Sequence, residues 1–190
     1  MTTPDTIKHE PALPVFTYMI EEKPYFRLIL GILLFFIPIN IYIIGTGIGT
    51  GIQWAFFRYQ QTVYGNSIIT LDMDLGYVIA GVITGRSAVS ISAWLVGVVL
   101  LISALIILLF SALEEGRIRP SKAGILILLA GLAWLASDML QYGLIFSGPA
   151  GVAIPVGIPL VCVVGWWLLW KEENQKKEEA SSAEPPLTDE

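Results

Sequence analysis

One acidic residue stands inside the longest uncharged stretch of this sequence. Asp138 lies in the run 123–170, whose only other titratable side chains are Tyr142 and Cys162. A carboxyl group in a bilayer costs several kcal/mol if it is charged and alone, so it must be protonated, paired or hydrated there. On a helix, Gln141 (i+3) and Tyr142 (i+4) share its face and can hydrogen-bond to it. Asn40 interrupts an earlier apolar run at comparable depth and can complete the polar set. Such a set does one of two things. It relays a proton or cation, or it forms an interhelical hydrogen bond that fixes packing, which is the favoured reading.

Other residues with chemical potential are sparse. Asp72 and Asp74 could hold a cation weakly, but two carboxylates make a poor calcium site, so solvation or pairing with Arg86 is expected. The string "GTGIGTG" (45–51) contains the small-xxx-small pairs Gly45/Gly49 and Gly47/Gly51, which favour helix packing. Its likeness to a potassium filter fails, because Gly45 stands where threonine is needed and no pore helix precedes it. It also misses the glycine spacing of a dinucleotide fold. Gly124/Gly131 and Gly157/Gly165 likewise suggest close helix contacts. Serines cluster around 87–103, yet no embedded histidine or lysine could activate one, which disfavours a hydrolase. One histidine, His9, and one cysteine, Cys162, exclude an internal disulfide and standard zinc, haem or iron–sulfur sites. No cofactor or metal is expected.

The elements that must carry these residues are membrane spans. The chain of 190 residues is 55% hydrophobic and 14% charged, with mean hydropathy +0.70. Soluble domains carry about 25% charged residues. Uncharged blocks run over 28–57, 87–113 and, apart from Asp138, 123–170. A crossing needs about 20 apolar residues, so these blocks suit one, one and two crossings. The first run follows Glu21 and Glu22 and exceeds the length of a signal core, so it reads as a retained span. The expected fold is an all-α integral membrane protein with four transmembrane helices, over about 26–48, 90–111, 123–146 and 152–170. Pro38 should kink the first.

The segment between the first two spans (49–89) reads as a structured extracytoplasmic loop. Residues 53–72 suggest a short β-hairpin around a Gly-Asn pair. "LGYVIAGVITG" (75–85) covers only about 16 Å as a helix, half of the ~30 Å core, so it reads as a short outer helix, interfacial or re-entrant. Charge agrees. With four spans and cytoplasmic termini, nine basic residues lie inside and only Arg58 and Arg86 outside. A fifth span over 75–85 gives at best seven inside and four outside. "WWLLWK" (166–171) reads as an interfacial anchor, and Arg117, Arg119 and Lys122 as topology signals. Residues 1–25 form a cytoplasmic arm, and 171–190 a charged, disordered cytoplasmic tail.

No basic stripe exists for nucleic acid. The partners expected are the lipid bilayer and other membrane subunits or a second copy of the chain. The function expected is that of a non-enzymatic subunit or accessory factor in the cell membrane, working through helix packing and outer-loop contacts. The alternative is a small proton- or cation-linked transporter or channel using Asp138.

Overall fold

Pro38 does more than kink the first apolar run. A computed structural model describes residues 24–113 and 120–183. In it, helix α1 (Pro24–Leu33) ends well before Pro38, and the chain continues as strand β1 (Asn40–Ile44). Proline removes a backbone donor and biases the residue before it away from helix. The β-branched run that follows then favours a strand. Ile39 N–H donates to Gln53 O at 2.7 Å, and Gly157 N–H donates to Ile39 O at 2.8 Å, which ties this entry point to two other segments.

The strands that follow are β2 (Gly49–Gln53), β3 (Phe57–Thr62) and β4 (Gly65–Thr70), and later β5 (Ser147–Gly148) and β6 (Gly151–Ile154). They form one antiparallel sheet in the order β4-β3-β2-β1-β6-β5. The helices are α2 (Leu71–Ile79), α3 (Gly85–Leu113), α4 (Ser121–Tyr142) and α5 (Ile158–Ala183). The chain is therefore mixed α/β, and the all-α four-span fold read from hydropathy is wrong. Among the described residues two helices are long and apolar enough to cross a membrane. They are α3 (29 residues) and α4 (22 residues), whose most apolar 18-residue stretches have mean hydropathy 3.0 and 1.9.

The other two expected spans fail for local reasons. The first is cut by Pro38. The last, 152–170, begins as β6, passes Pro155 and becomes helical only at Ile158. From Ile158 to Trp170 its apolar part rises about 20 Å, well short of the hydrocarbon core. The tail is also corrected. Instead of being disordered from Lys171, α5 runs on to Ala183 through good helix formers, with Glu173 and Lys177 paired at 3.0 Å. The N-terminal arm through Lys23 lies outside the described residues, as do Arg117, Arg119 and the tail beyond Ala183.

The glycine string is not a helix face. Gly45 (φ 53°) and Gly47 (φ 92°) form the β1–β2 turn, and Gly49 and Gly51 belong to β2. A side chain on Gly51 would enter the Tyr42 ring, and one on Gly49 would strike the backbone of β3. These glycines permit close approach inside a sheet, so their assignment to helix packing is overturned. The expected hairpin exists as β3–β4, in register Phe57↔Thr70. The expected short helix starts earlier, at Leu71, and ends where Gly81 (φ 72°) turns the chain toward α3.

The core lies among the helices. On α3 the buried positions Trp94, Gly97, Leu101, Ala104 and Leu108 recur every three to four residues, and Ala123, Ile127, Ala130 and Trp134 do so on α4. These are the seam positions of an antiparallel pair. Gly124 and Gly165 face each other across α4 and α5, and Gly131 faces Cys162. Glu172 Oε2 accepts the Ser121 N–H at 2.6 Å, placing a carboxylate on the positive end of α4.

Candidate functional site

Strand alternation decides what the sheet offers to each side. One cross-strand row is Asn40–Gln53–Arg58–Ile69, turned toward the ends of α3 and α4. Between that row and the helix ends lies a cavity of about 440 Å³. Gln53, Arg58 and Ile69 line one side, Ser90, Trp94, Ser137, Asp138, Gln141 and Tyr142 the other, and Asp74 of α2 closes a third.

Asp138 and Asn40 meet here. Asn40 Nδ2 donates to Asp138 Oδ1 at 2.6 Å, and the two residues are 0% and 2% exposed. Asp138 sits one turn before the end of α4, and Asn40 is the first residue of β1, so the bond pins the sheet to the helix pair. Gln141 and Tyr142 line the same cavity, but among the described residues neither bonds to Asp138. Tyr142 instead packs on Tyr42, with ring centroids 6.3 Å apart.

An ion pair crosses the cavity wall. Arg58 Nη2 donates to Asp74 Oδ1 at 2.6 Å. Burial pushes the Asp74 carboxyl above its ordinary range, and Arg58 opposes that push. Burial likewise raises the Tyr42 phenol, with Arg58 acting against it. The pairing of Asp74 with Arg86 is not found; Arg86 is exposed on α3.

The helix ends are locked by hydroxyls. Ser90 Oγ donates to Ser137 O at 2.9 Å and Ser137 Oγ to Ser90 O at 2.8 Å. Trp94 Nε1 donates to Ala55 O at 3.0 Å, joining α3 to the β2–β3 connection. Sequence reasoning missed these ties and the Arg58–Asp74 pair. The signal for the serines was available, since Ser90 and Ser137 continue the buried seam spacing of α3 and α4.

Around the cavity, the buried polar atoms Asn40 Oδ1, Tyr42 Oη, Arg58 Nε and Asp138 Oδ2 have no hydrogen-bond partner among the described residues. All belong to the junction between sheet and helices, and such orphans are rare in folded proteins. No group of three or more His, Cys, Asp or Glu side chains gathers among the described residues, so the junction offers no multidentate metal site. Comparison with known family models, curated proteins and solved structures finds no match to this chain.

Proposed function

We propose that this chain is a membrane protein that works without catalysis, as a subunit or accessory factor, with its sheet presented to another membrane-protein chain. The membrane reading is supported by α3 and α4, where only 33% and 44% of the most apolar window is buried. The core helix of a soluble protein hides most of such a window, whereas these leave Val96, Val99, Ile106 and Leu132 exposed. Arg27 lies close enough to feel Glu172, and Lys122 and Lys171 adjoin Ser121 and Glu172 in sequence at the end opposite the sheet, which favours a cytoplasmic location for that end.

One observation carries the contact reading. The outward row of the sheet is Ile154–Ile41–Ile52–Tyr59–Ile68, an apolar line across five strands. Ile154, Ile41 and Ile68 are 55%, 39% and 62% exposed, and Tyr64 at the hairpin tip is 91% exposed. A contiguous uncovered apolar face of this kind marks an interaction surface. Photo-crosslinking residues at Ile68 and Tyr64 in native membranes should capture the same protein, while one at Val99 on α3 should capture lipid. Adducts to lipid alone at all three positions refute the reading.

A cation- or proton-linked transporter is the second reading, favoured by the cavity that reaches Asp138. Flux in liposomes that Asp138→Asn abolishes supports it; tight vesicles showing no flux leave the accessory reading standing.

A further inference from the structure

We propose that the cavity between the sheet and the ends of α3 and α4 binds a small ligand bearing a protonated amine, with Asp138 as its acceptor. The inference rests on the cavity itself and holds whichever partner the outer sheet face meets. At about 440 Å³ the space suits a small molecule. Its rim includes the exposed residues Val82 and Thr84, which gives a route in.

Charge selects the ligand class. Two carboxylates and one guanidinium line the cavity. Arg58 is already engaged by Asp74 at 2.6 Å, which leaves the Asp138 carboxyl as the group without a counter-charge among the described residues. Its Oδ1 takes the Asn40 amide, while Oδ2 is buried without a partner in a residue 2% exposed. A buried acceptor left unmade costs the desolvation of that oxygen, and an ammonium N–H repays it with a charge-assisted bond. An anion would meet two carboxylates. A divalent metal would find too few ligands, since no cluster of three forms among the described residues.

The walls select the body of the ligand. Trp54, stacked on Phe57 with centroids 4.9 Å apart, lines the cavity together with Phe56 and Trp94. Aromatic walls suit a short alkyl chain, and ring faces attract the cationic head.

The test uses the full-length protein in detergent micelles, titrated with n-butylammonium and read by calorimetry and by tryptophan fluorescence. The controls are butan-1-ol, which keeps the body without the charge, and tetramethylammonium, which keeps the charge without an N–H. Saturable binding of n-butylammonium is expected, with each control weaker by about ten-fold or more. Asp138→Asn, close to isosteric, should weaken n-butylammonium by a similar factor. If that variant does not fold, Thr84→Trp at the exposed rim decides: loss of binding supports the site and retention overturns it. No saturable binding by the wild type, equal binding of butan-1-ol, or unchanged binding by folded Asp138→Asn each overturns the proposal.

Discussion

The hydrogen bond between Asn40 and Asp138 offers the sharpest energetic test of how the sheet is held on the helices. Asn40→Leu removes the donor and leaves a buried carboxyl with both oxygens unmet. Asp138→Leu removes the acceptor and strands the amide. Each change should cost about 2–4 kcal/mol, because an orphaned buried polar group bears its full desolvation penalty. The double variant has no orphan of this pair, so its cost should fall below the sum of the singles. Two magnitudes compete for that coupling. Interhelical hydrogen bonds in membranes average about 0.6 kcal/mol, whereas bonds to charged groups reach about 1.5–3 kcal/mol. The bond is 2.6 Å long with a carboxyl acceptor, and both residues are at least 98% buried, so the larger figure should win. That coupling corresponds to about 10–150-fold in the folding equilibrium. Unfolding in mixed micelles, followed through Trp94 and Trp134, whose rings lie 5.5 Å apart in the core, measures it. A coupling under about 0.5 kcal/mol would mean that the pair is incidental to docking the sheet.

Other consequences follow from packing and charge. A methyl group on Gly97 would sit 2.5 Å from Nε1 of the fully buried Trp134. Gly97→Ala should therefore lower stability by about 1–3 kcal/mol in the same assay. Gly76, with nothing within 4 Å of an added methyl, is the control, and Gly76→Ala should gain about 0.5–1 kcal/mol. Methyl groups on Gly124 and Gly165 would lie 2.8 and 2.9 Å from each other's carbonyl oxygen. Alanine at either should separate α4 from α5 by a similar amount, and the two effects should not add, as thermal melts of the singles and the double will reveal. Arg58→Leu should destabilise through Asp74. Burial already raises that carboxyl's folded pKa above its unfolded value, and losing Arg58 raises it further. The folded state then holds a proton that the unfolded state releases, so stability is lost as pH rises through the folded value. The deficit of Arg58→Leu should be largest near neutrality and shrink as pH falls toward about 4; a deficit independent of pH would refute the pairing.

The segment 40–53 explains why hydropathy misled. Along β1 the buried residues are Asn40 and Tyr42, and the exposed ones Ile41 and Ile43. Burial alternates with period two, but polarity does not, because the outward face is as apolar as the inward one. A strand with two apolar faces reads like a stretch of membrane helix. The same ambiguity hides β6, where Val152 and Ile154 face outward beside buried Ala153. Pro38 and Pro155 were the available signals, since each marks the place where a helical reading must stop. The β3–β4 hairpin and the short helix after it were legible because polar and glycine residues punctuate them.

Asn40, Asp138, Gln141 and Tyr142 stood out because each is a polar group in an apolar run, which composition alone reveals. Their chemical types and the apolar character of α3 and α4 are written in the sequence, as hydropathy is a sum over neighbours along the chain. The pairing of Asn40 with Asp138 across 98 positions, of Arg58 with Asp74, and the cavity between them belong to tertiary structure. Those contacts depend on which face of each strand meets the helix ends. Long-range strand register sets that choice, and no local pattern in this chain encodes it.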